Sequence, residues 1–346
     1  MIQTPWPGLR LYARDCGLVD PYDARNAELF RGEEAFESDV EGWRRWSKPS
    51  PEPHLDAEFE PILLGSIRHQ APQINAMARA LAAKIGAANP DKAPVLVAIL
   101  RAGAPICALL APLLAAHYGA EIPACAFSLF YGLGWDEVAL ERIVADFPDR
   151  EPVFVDGWTS GGGVATQIQL SFEAWKARGK PDFTAGKTPQ FAVLCDPRGV
   201  ATHSAIRADF WVPSAAFTAP ETLGFSRGFA FEDGGLFGVY RFPPEQRKPR
   251  WTQAWLDVLD AENAPLPPGD VPATQSAPAG FRVHVNEVTR ALINRDPREI
   301  WLRDDEKTAS QTLAPLLYLA NQRGVLVEFG RAELVNWSAL AVARMK

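Results

Sequence analysis

The sequence predicts an α/β protein: a parallel sheet flanked by helices, followed by a small C-terminal α/β unit. Three observations carry this. Apolar runs such as Val95-Leu96-Val97-Ala98-Ile99-Leu100 lack polar alternation, as strands buried on both faces do. Helical patterns separate those runs, and alternating strands and helices build a parallel sheet. A proline-rich stretch, 243–280, then precedes a last segment with its own order of helix, strand, helix and strand.

Residues 1–56 are rich in Trp, Pro and charge, show no clean period, and read as an N-terminal lobe or wrapping segment. The main unit is expected over 57–242. Helical spacing of Ile74, Met77, Ala78, Leu81 and Ile85 predicts a helix over 74–85. The strand at 95–100 follows, then a helix at 105–118 that ends near Gly119. A strand is expected at 124–130, a helix at 136–147, a strand at 153–155 and a helix at 164–178 closing before Gly179. Runs at 191–194 and 210–212 supply two more strands. A short helix at 251–259 interrupts the connector 243–280, whose part 264–280 reads as a flexible linker. The last unit, 281–346, is expected to form helix 286–292, strand 299–302, helix 308–322 and strand 325–329, with Pro315 kinking or delaying its second helix.

At 346 residues the chain suggests two domains, and its 47% apolar content allows a sizeable core. A net charge of −7 argues against a surface that grips nucleic acid everywhere. The charge is uneven: residues 281–346 hold 10 Lys and Arg against 8 Asp and Glu, a net of +2, so the rest sums to −9. Cys16, Cys107, Cys125 and Cys195 are widely spaced, form no CxxC, and read as free thiols of a reducing compartment. No leader pattern and no membrane-length apolar run is evident, so a cytoplasmic protein is expected.

The most informative segment is Val153-Phe154-Val155-Asp156-Gly157-Trp158-Thr159-Ser160-Gly161-Gly162-Gly163-Val164. A buried strand ends in an acid, and a loop of small and hydroxyl residues opens a helix. Such a loop presents backbone N–H groups and a helix N-terminus to an anion. Asp156 stands at the carboxyl end of its strand, where open α/β sheets bind ligands. Its charge repels phosphate but suits sugar hydroxyls. The loop lacks the Lys of a P-loop and the spacing of a dinucleotide fingerprint. The plain alternative is an ordinary strand–turn–helix junction. A second loop, Arg101-Ala102-Gly103-Ala104-Pro105, also follows a buried strand, and an Arg there is costly unless it meets an anion or a carboxylate.

Together these segments resemble type I phosphoribosyltransferases. With Arg101 through Ile106, Gly132-x-Gly134-x-Asp136-Glu137, Asp156-Gly157-Trp158-Thr159, Asp196-Pro197 and Pro213-Ser214-Ala215, the resemblance narrows. It points to the phosphoribosyltransferase-like family of tellurite-resistance-associated gene clusters, some members of which carry the label cysteine protease StiP. The resemblance implies that Arg101, Ala102, Gly103, Asp156, Gly157, Thr159, Ser160, Gly161, Gly162 and Gly163 bind 5-phosphoribosyl 1-pyrophosphate (PRPP). It also implies a Mg²⁺ ion held mainly by PRPP, with Asp156 as its candidate protein ligand. Asp156 and Arg101 would be catalytic, together with Asp136 or Glu137 acting on the acceptor or the metal from a mobile flap. Tyr131, Trp135 and Arg227 would line the acceptor site; a loop and a helix N-terminus are the alternative for the flap. Gly157 stands where the wider superfamily has a second acid.

Residues 281–346 resemble the Pelota-type RNA-binding fold, in which Asn286, Glu287 and Arg290 match RNA-reading positions; a docking module that has kept only the fold is the alternative. The readings are a Mg²⁺-dependent phosphoribosyltransferase releasing pyrophosphate, or a non-catalytic PRPP or nucleotide sensor acting through RNA, with a cysteine protease a distant third. Expected partners are PRPP, an unidentified small-molecule acceptor and structured RNA, with no membrane; a homodimer is compatible.

Overall fold

The apolar runs become the middle of a seven-stranded sheet in the computed structural model, which describes residues 2–31, 40–269, 273, 275 and 279–346. In spatial order its strands are Ile2–Gln3, Leu9–Leu11, Ala124–Phe127, Val95–Ile99, Pro152–Val155, Gln190–Cys195 and His203–Ile206. All neighbours pair in parallel except the first two. The central strands are apolar throughout because both faces are covered. Leu96, Ala98, Val153 and Val155 enter one core cluster with the helices Phe59–Ala88 and Gly103–Tyr118. Val95, Val97, Ile99 and Phe154 enter another with the helices Glu137–Asp146 and Gly163–Ala177. Among the described residues no helix is long and apolar enough to cross a membrane.

Close packing between layers explains one glycine. A Cβ on Gly103 would lie 2.1 Å from the backbone oxygen of Val155. Gly103→Ala must push the helix start off the sheet, and is expected to lower stability by about 2–3 kcal/mol. A thermal melt checks this; an unchanged melting temperature would mean that the helix shifts freely.

The sequence reading departs from the structure at the edges. The strand His203–Ile206 was not expected; it is a short edge strand with a polar start. The expected strand at 210–212 is extended but joins no ladder, because the Asn286 side chain takes its backbone groups: Nδ2 donates to Phe210 O (2.8 Å) and Oδ1 accepts from Val212 N (2.8 Å). The N-terminal segment is no separate lobe in its pairing. It supplies two strands to the main sheet, and Arg14–Leu18 pairs with Gly238–Arg241. The expected strand 124–130 breaks after Phe127, and Leu129–Phe130 turns back to pair with Gly134–Trp135. The expected linker 264–280 lies partly outside the described residues.

The C-terminal residues form a four-stranded sheet in the order Phe281–Val283, Ala341–Met345, Pro297–Leu302 and Leu326–Glu328, with helix Val285–Asn294 against it. Pro315 divides the expected long helix into Glu306–Thr312 and Ala314–Gln322. This sheet is not isolated: Val288, Leu292, Ile300 and Leu316 belong to the same core cluster as the main helices.

Candidate functional site

Parallel strands bring the loops after Val95–Ile99, Pro152–Val155 and Gln190–Cys195 to one edge of the sheet, where they open into a cavity of about 900 Å³. The C-terminal unit forms its opposite wall. Helix Val285–Asn294 is seated there by side chains of the main unit: Asp209 accepts from Val285 N (2.9 Å), and Trp211 donates to Thr289 Oγ1 (3.0 Å).

The glycine-rich loop lines this cavity from Thr159 to Gly163. Its hydroxyls are committed elsewhere. Thr159 donates to Asp196 (3.2 Å), and Ser160 donates to Val283 O (2.8 Å) with His284 Nδ1 also 2.8 Å away. The backbone is what remains: among the described residues, the N–H groups of Gly161, Gly162 and Gly163 donate to no protein acceptor. Gly162, at φ +81°, turns the chain into the helix.

Asp156 lines the cavity, nearly buried, and accepts from Gly157 N (2.8 Å). Burial pushes its carboxyl up to about 7; the Gly157 hydrogen bond opposes this and the nearby Glu287 charge adds to it. Gly157 is buried and does not line the cavity, and Gly103 packs beneath the strand Pro152–Val155. Arg101 and Ala102 both line the cavity. The Arg101 guanidinium meets a carboxylate, that of Glu52.

Three expected residues of the flap are structural. Asp136 is buried and caps the helix Glu137–Asp146, accepting from Ala139 N (3.0 Å) and from Phe237 N (2.7 Å). Glu137 pairs with Arg178 and Lys180 outside the cavity. Trp135 is a core residue, stacked on Phe154 at 5.6 Å. Tyr131 and Arg227 do line the cavity, Tyr131 at 60% exposure and Arg227 with its guanidinium over the rings of Trp46 and Phe130.

The residues matched to RNA reading face the main unit. Asn286 is buried on the backbone at 210–212, Glu287 accepts from Trp158 Nε1 (2.9 Å), and Arg290 donates to Phe217 O (2.9 Å) and pairs with Glu52. Their side chains seat the C-terminal unit on the cavity.

Sequence reasoning missed the charge of this cavity. Arg101, Arg198 and Arg227 reach it from the main unit, Arg282, Arg290 and Arg295 from the C-terminal unit, and Arg45 from the N-terminal segment. Among the described residues Asp156 and Glu287 line the same cavity, and the Glu52 carboxylate pairs with Arg101 and Arg290. Arg198, just past the strand Gln190–Cys195, was findable by the strand-end logic used for Arg101; the others have no local signal.

The model of the family described as tellurite-like stress resistance cysteine protease StiP matches residues 35–234. The chain belongs to that family. The cysteine protease StiP of Acinetobacter baylyi is 29% identical over 161 residues, which cover 46% of this chain and 39% of the relative. The match thus spans well under half of that curated StiP. A solved structure of a hypothetical protein from Neisseria gonorrhoeae with bound ppGpp aligns over 38% of this chain and 77% of that one, at 19% identity. Its TM-score of 0.27 is too low to inform fold or ligand.

Family membership overturns the expected phosphoribosyltransferase, and with it the PRPP and glycosyl-transfer reading: the StiP family is described as a cysteine protease. The thiols themselves are shielded. Cys107, Cys125 and Cys195 are buried, and burial raises all three. Cys16 is half-buried beside the strand Gly238–Arg241 and is also raised by burial. No described hydrogen bond joins any of the four to a histidine.

Proposed function

We propose that this StiP-family chain serves stress resistance by binding a small phosphorylated molecule in the arginine-lined cavity. The observation that carries this is a glycine-rich loop whose backbone N–H groups at Gly161, Gly162 and Gly163 open on a cavity that Arg198 and Arg282 also line. Guanidinium forks and amides are the donors that suit phosphate oxygens. Low-dielectric walls focus their field on a protein that is otherwise acidic. Tyr131, 60% exposed on the cavity, gives an organic group an aromatic surface beside the anion site.

Among the described residues no group of three or more His, Cys, Asp or Glu forms a metal cage. A Mg²⁺ ion would therefore be carried chiefly by the ligand's own phosphate oxygens, with Asp156 as the nearest protein carboxylate of the loop.

Gly161 allows a clean test, because a Cβ there meets nothing within 4 Å. Gly161→Asp adds a negative charge to the loop without a clash. Titration calorimetry with inorganic phosphate and with glycerol phosphate is expected to show binding by the wild type, weakened about tenfold or more in Gly161→Asp and severalfold in Arg198→Ala. Equal binding by wild type and Gly161→Asp, or none by the wild type, would sink the proposal.

Proteolysis, the activity in the family's description, is the second reading. Cys16 is the thiol most open to a reagent. It lies outside the cavity lining, so alkylation by iodoacetamide is expected to leave phosphate binding unchanged. Casein cleavage abolished by Cys16→Ala would instead establish the proteolytic reading.

A further inference from the structure

We infer that Ser160 and His284 form an acyl-transfer dyad that hydrolyses esters of small carboxylic acids in this cavity. The activity goes beyond phosphate binding and stands apart from it. Ser160 precedes the three glycines of the loop, and His284 comes from the C-terminal unit, directly before the helix Val285–Asn294. Both line the cavity, and Ser160 Oγ lies 2.8 Å from His284 Nδ1. Val283 O is the hydroxyl's other acceptor, also at 2.8 Å. With the ring proton on Nε2, Nδ1 faces the hydroxyl as a base. A hydroxyl within hydrogen-bond reach of an imidazole is the pairing that activates a serine.

Two features around the pair fit this role. His284 is 3% exposed and holds φ +79° with ψ 139°, a backbone conformation that favours glycine. Strain of this kind clusters at active sites and ligand clamps. Beside the serine, the N–H groups of Gly161, Gly162 and Gly163 donate to no protein acceptor among the described residues, where the helix Gly163–Ala177 begins. Amides that directly follow a nucleophile are the donors an oxyanion needs. The family is described as a cysteine protease, itself an acyl-transfer hydrolase, yet the thiols of this chain are shielded. Ser160 is a hydroxyl that the fold sets beside a base.

Water is the one co-reactant. Ser160 Oγ bonds to the carbonyl carbon as its proton passes to Nδ1, and the carbonyl oxygen becomes an anion held by the glycine N–H groups. Collapse of that intermediate breaks the carbon–oxygen bond to the alcohol, which leaves with the proton from Nδ1. Water then attacks the acyl-serine and gives a proton to Nδ1. The acid departs as Ser160 takes that proton back. A Cβ on Gly163 would lie 3.9 Å from the Tyr131 ring, so an apolar acyl group finds an aromatic surface beside the loop.

The test treats the protein with a neutral fluorophosphonate ester, which phosphonylates activated serines, and maps the adduct by peptide mass spectrometry. The adduct is expected on Ser160 of the wild type. It should form about a hundredfold more slowly in His284→Asn, which keeps a hydrogen-bonding partner for Ser160 but no base. Hydrolysis of p-nitrophenyl butyrate should fall by a similar factor in Ser160→Ala and in His284→Asn. No adduct on wild-type Ser160 would overturn the dyad, as would equal labelling of the wild type and a folded His284→Asn. Should the variants fail to fold, the wild type in urea decides: loss of the Ser160 adduct on unfolding supports the dyad, and its persistence counts against it. Inorganic phosphate should slow the labelling by occupying the same N–H groups. Labelling of Ser160 that ignores phosphate would count against the phosphate site while still supporting the dyad.

Discussion

Glu52→Ala is expected to lower the stability of the protein by about 3–5 kcal/mol, the cost of breaking a buried ion pair by removing one partner. The side chain is 5% exposed, and its arginine partners are 16% and 14% exposed. Without the carboxylate, two guanidinia face each other with little water to screen them, and Ala219 N loses its acceptor. The effect reaches across the molecule, because the three groups come from three places: the N-terminal segment, the loop after Val95–Ile99, and the C-terminal helix Val285–Asn294. Arg290 also holds Ala215 O and Phe217 O, so its displacement loosens the seat of the C-terminal unit. Urea denaturation followed by tryptophan fluorescence measures the loss. Glu137→Ala, which removes partly exposed pairs with Arg178 and Lys180, is the control and should cost far less. Equal losses in the two variants would mean that the Glu52 cluster is no more than a surface ion pair.

That cluster also marks where the sequence stopped being readable. The strands Val95–Ile99 and Pro152–Val155 were legible because a strand covered on both faces must be apolar at every position. The two loops that follow were legible for a related reason: glycine and an isolated Arg are costly at such places unless something local requires them. Arg101 at a strand end must meet an anion or a carboxylate, and it meets Glu52, yet nothing near it in sequence names that carboxylate. Its segment has no period and no motif, and its contacts are all distant. Ile2–Gln3 and Leu9–Leu11 were hidden because strands of two and three residues carry no pattern of their own. Asn286, Glu287 and Arg290 show the converse. Polar residues in one turn of a helix look the same whether they face a ligand or a neighbouring unit, and only the fold shows the backbone of 210–212 in front of them. For Asp136 the sequence left a flap acid and a helix N-terminus both open, because an acid suits either place, and the structure shows it capping the helix Glu137–Asp146.

Asp156→Asn is expected to leave stability unchanged in acid and to raise it at neutral and alkaline pH, by on the order of 4 kcal/mol at the plateau. The folded protein holds this carboxyl up at about 7, mainly through burial, whereas the ordinary value is 3.8. Below the ordinary value the acid is neutral in both states and nothing is lost. As pH rises from about 4, the unfolded chain releases its proton while the folded protein keeps it, so stability falls. The decline ends as pH passes the folded value, above which both states are ionised and the full cost is present. An asparagine cannot ionise and keeps an oxygen to accept from Gly157 N. Asp136, pushed up to about 6, and Glu221, up to about 7, titrate in the same window, so the wild-type curve alone cannot be assigned to one group. The difference between wild type and Asp156→Asn isolates the residue, and urea denaturation at a series of pH values measures it. Parallel curves would mean that the carboxyl is solvated and ordinary. The same charge bears on the cavity. A phosphate group on the glycine-rich loop sets further negative charge beside Asp156 and favours its neutral form, so binding should take up a proton and tighten as pH falls toward 6. In Asp156→Asn that part of the pH dependence should vanish, leaving only the titration of the phosphate itself.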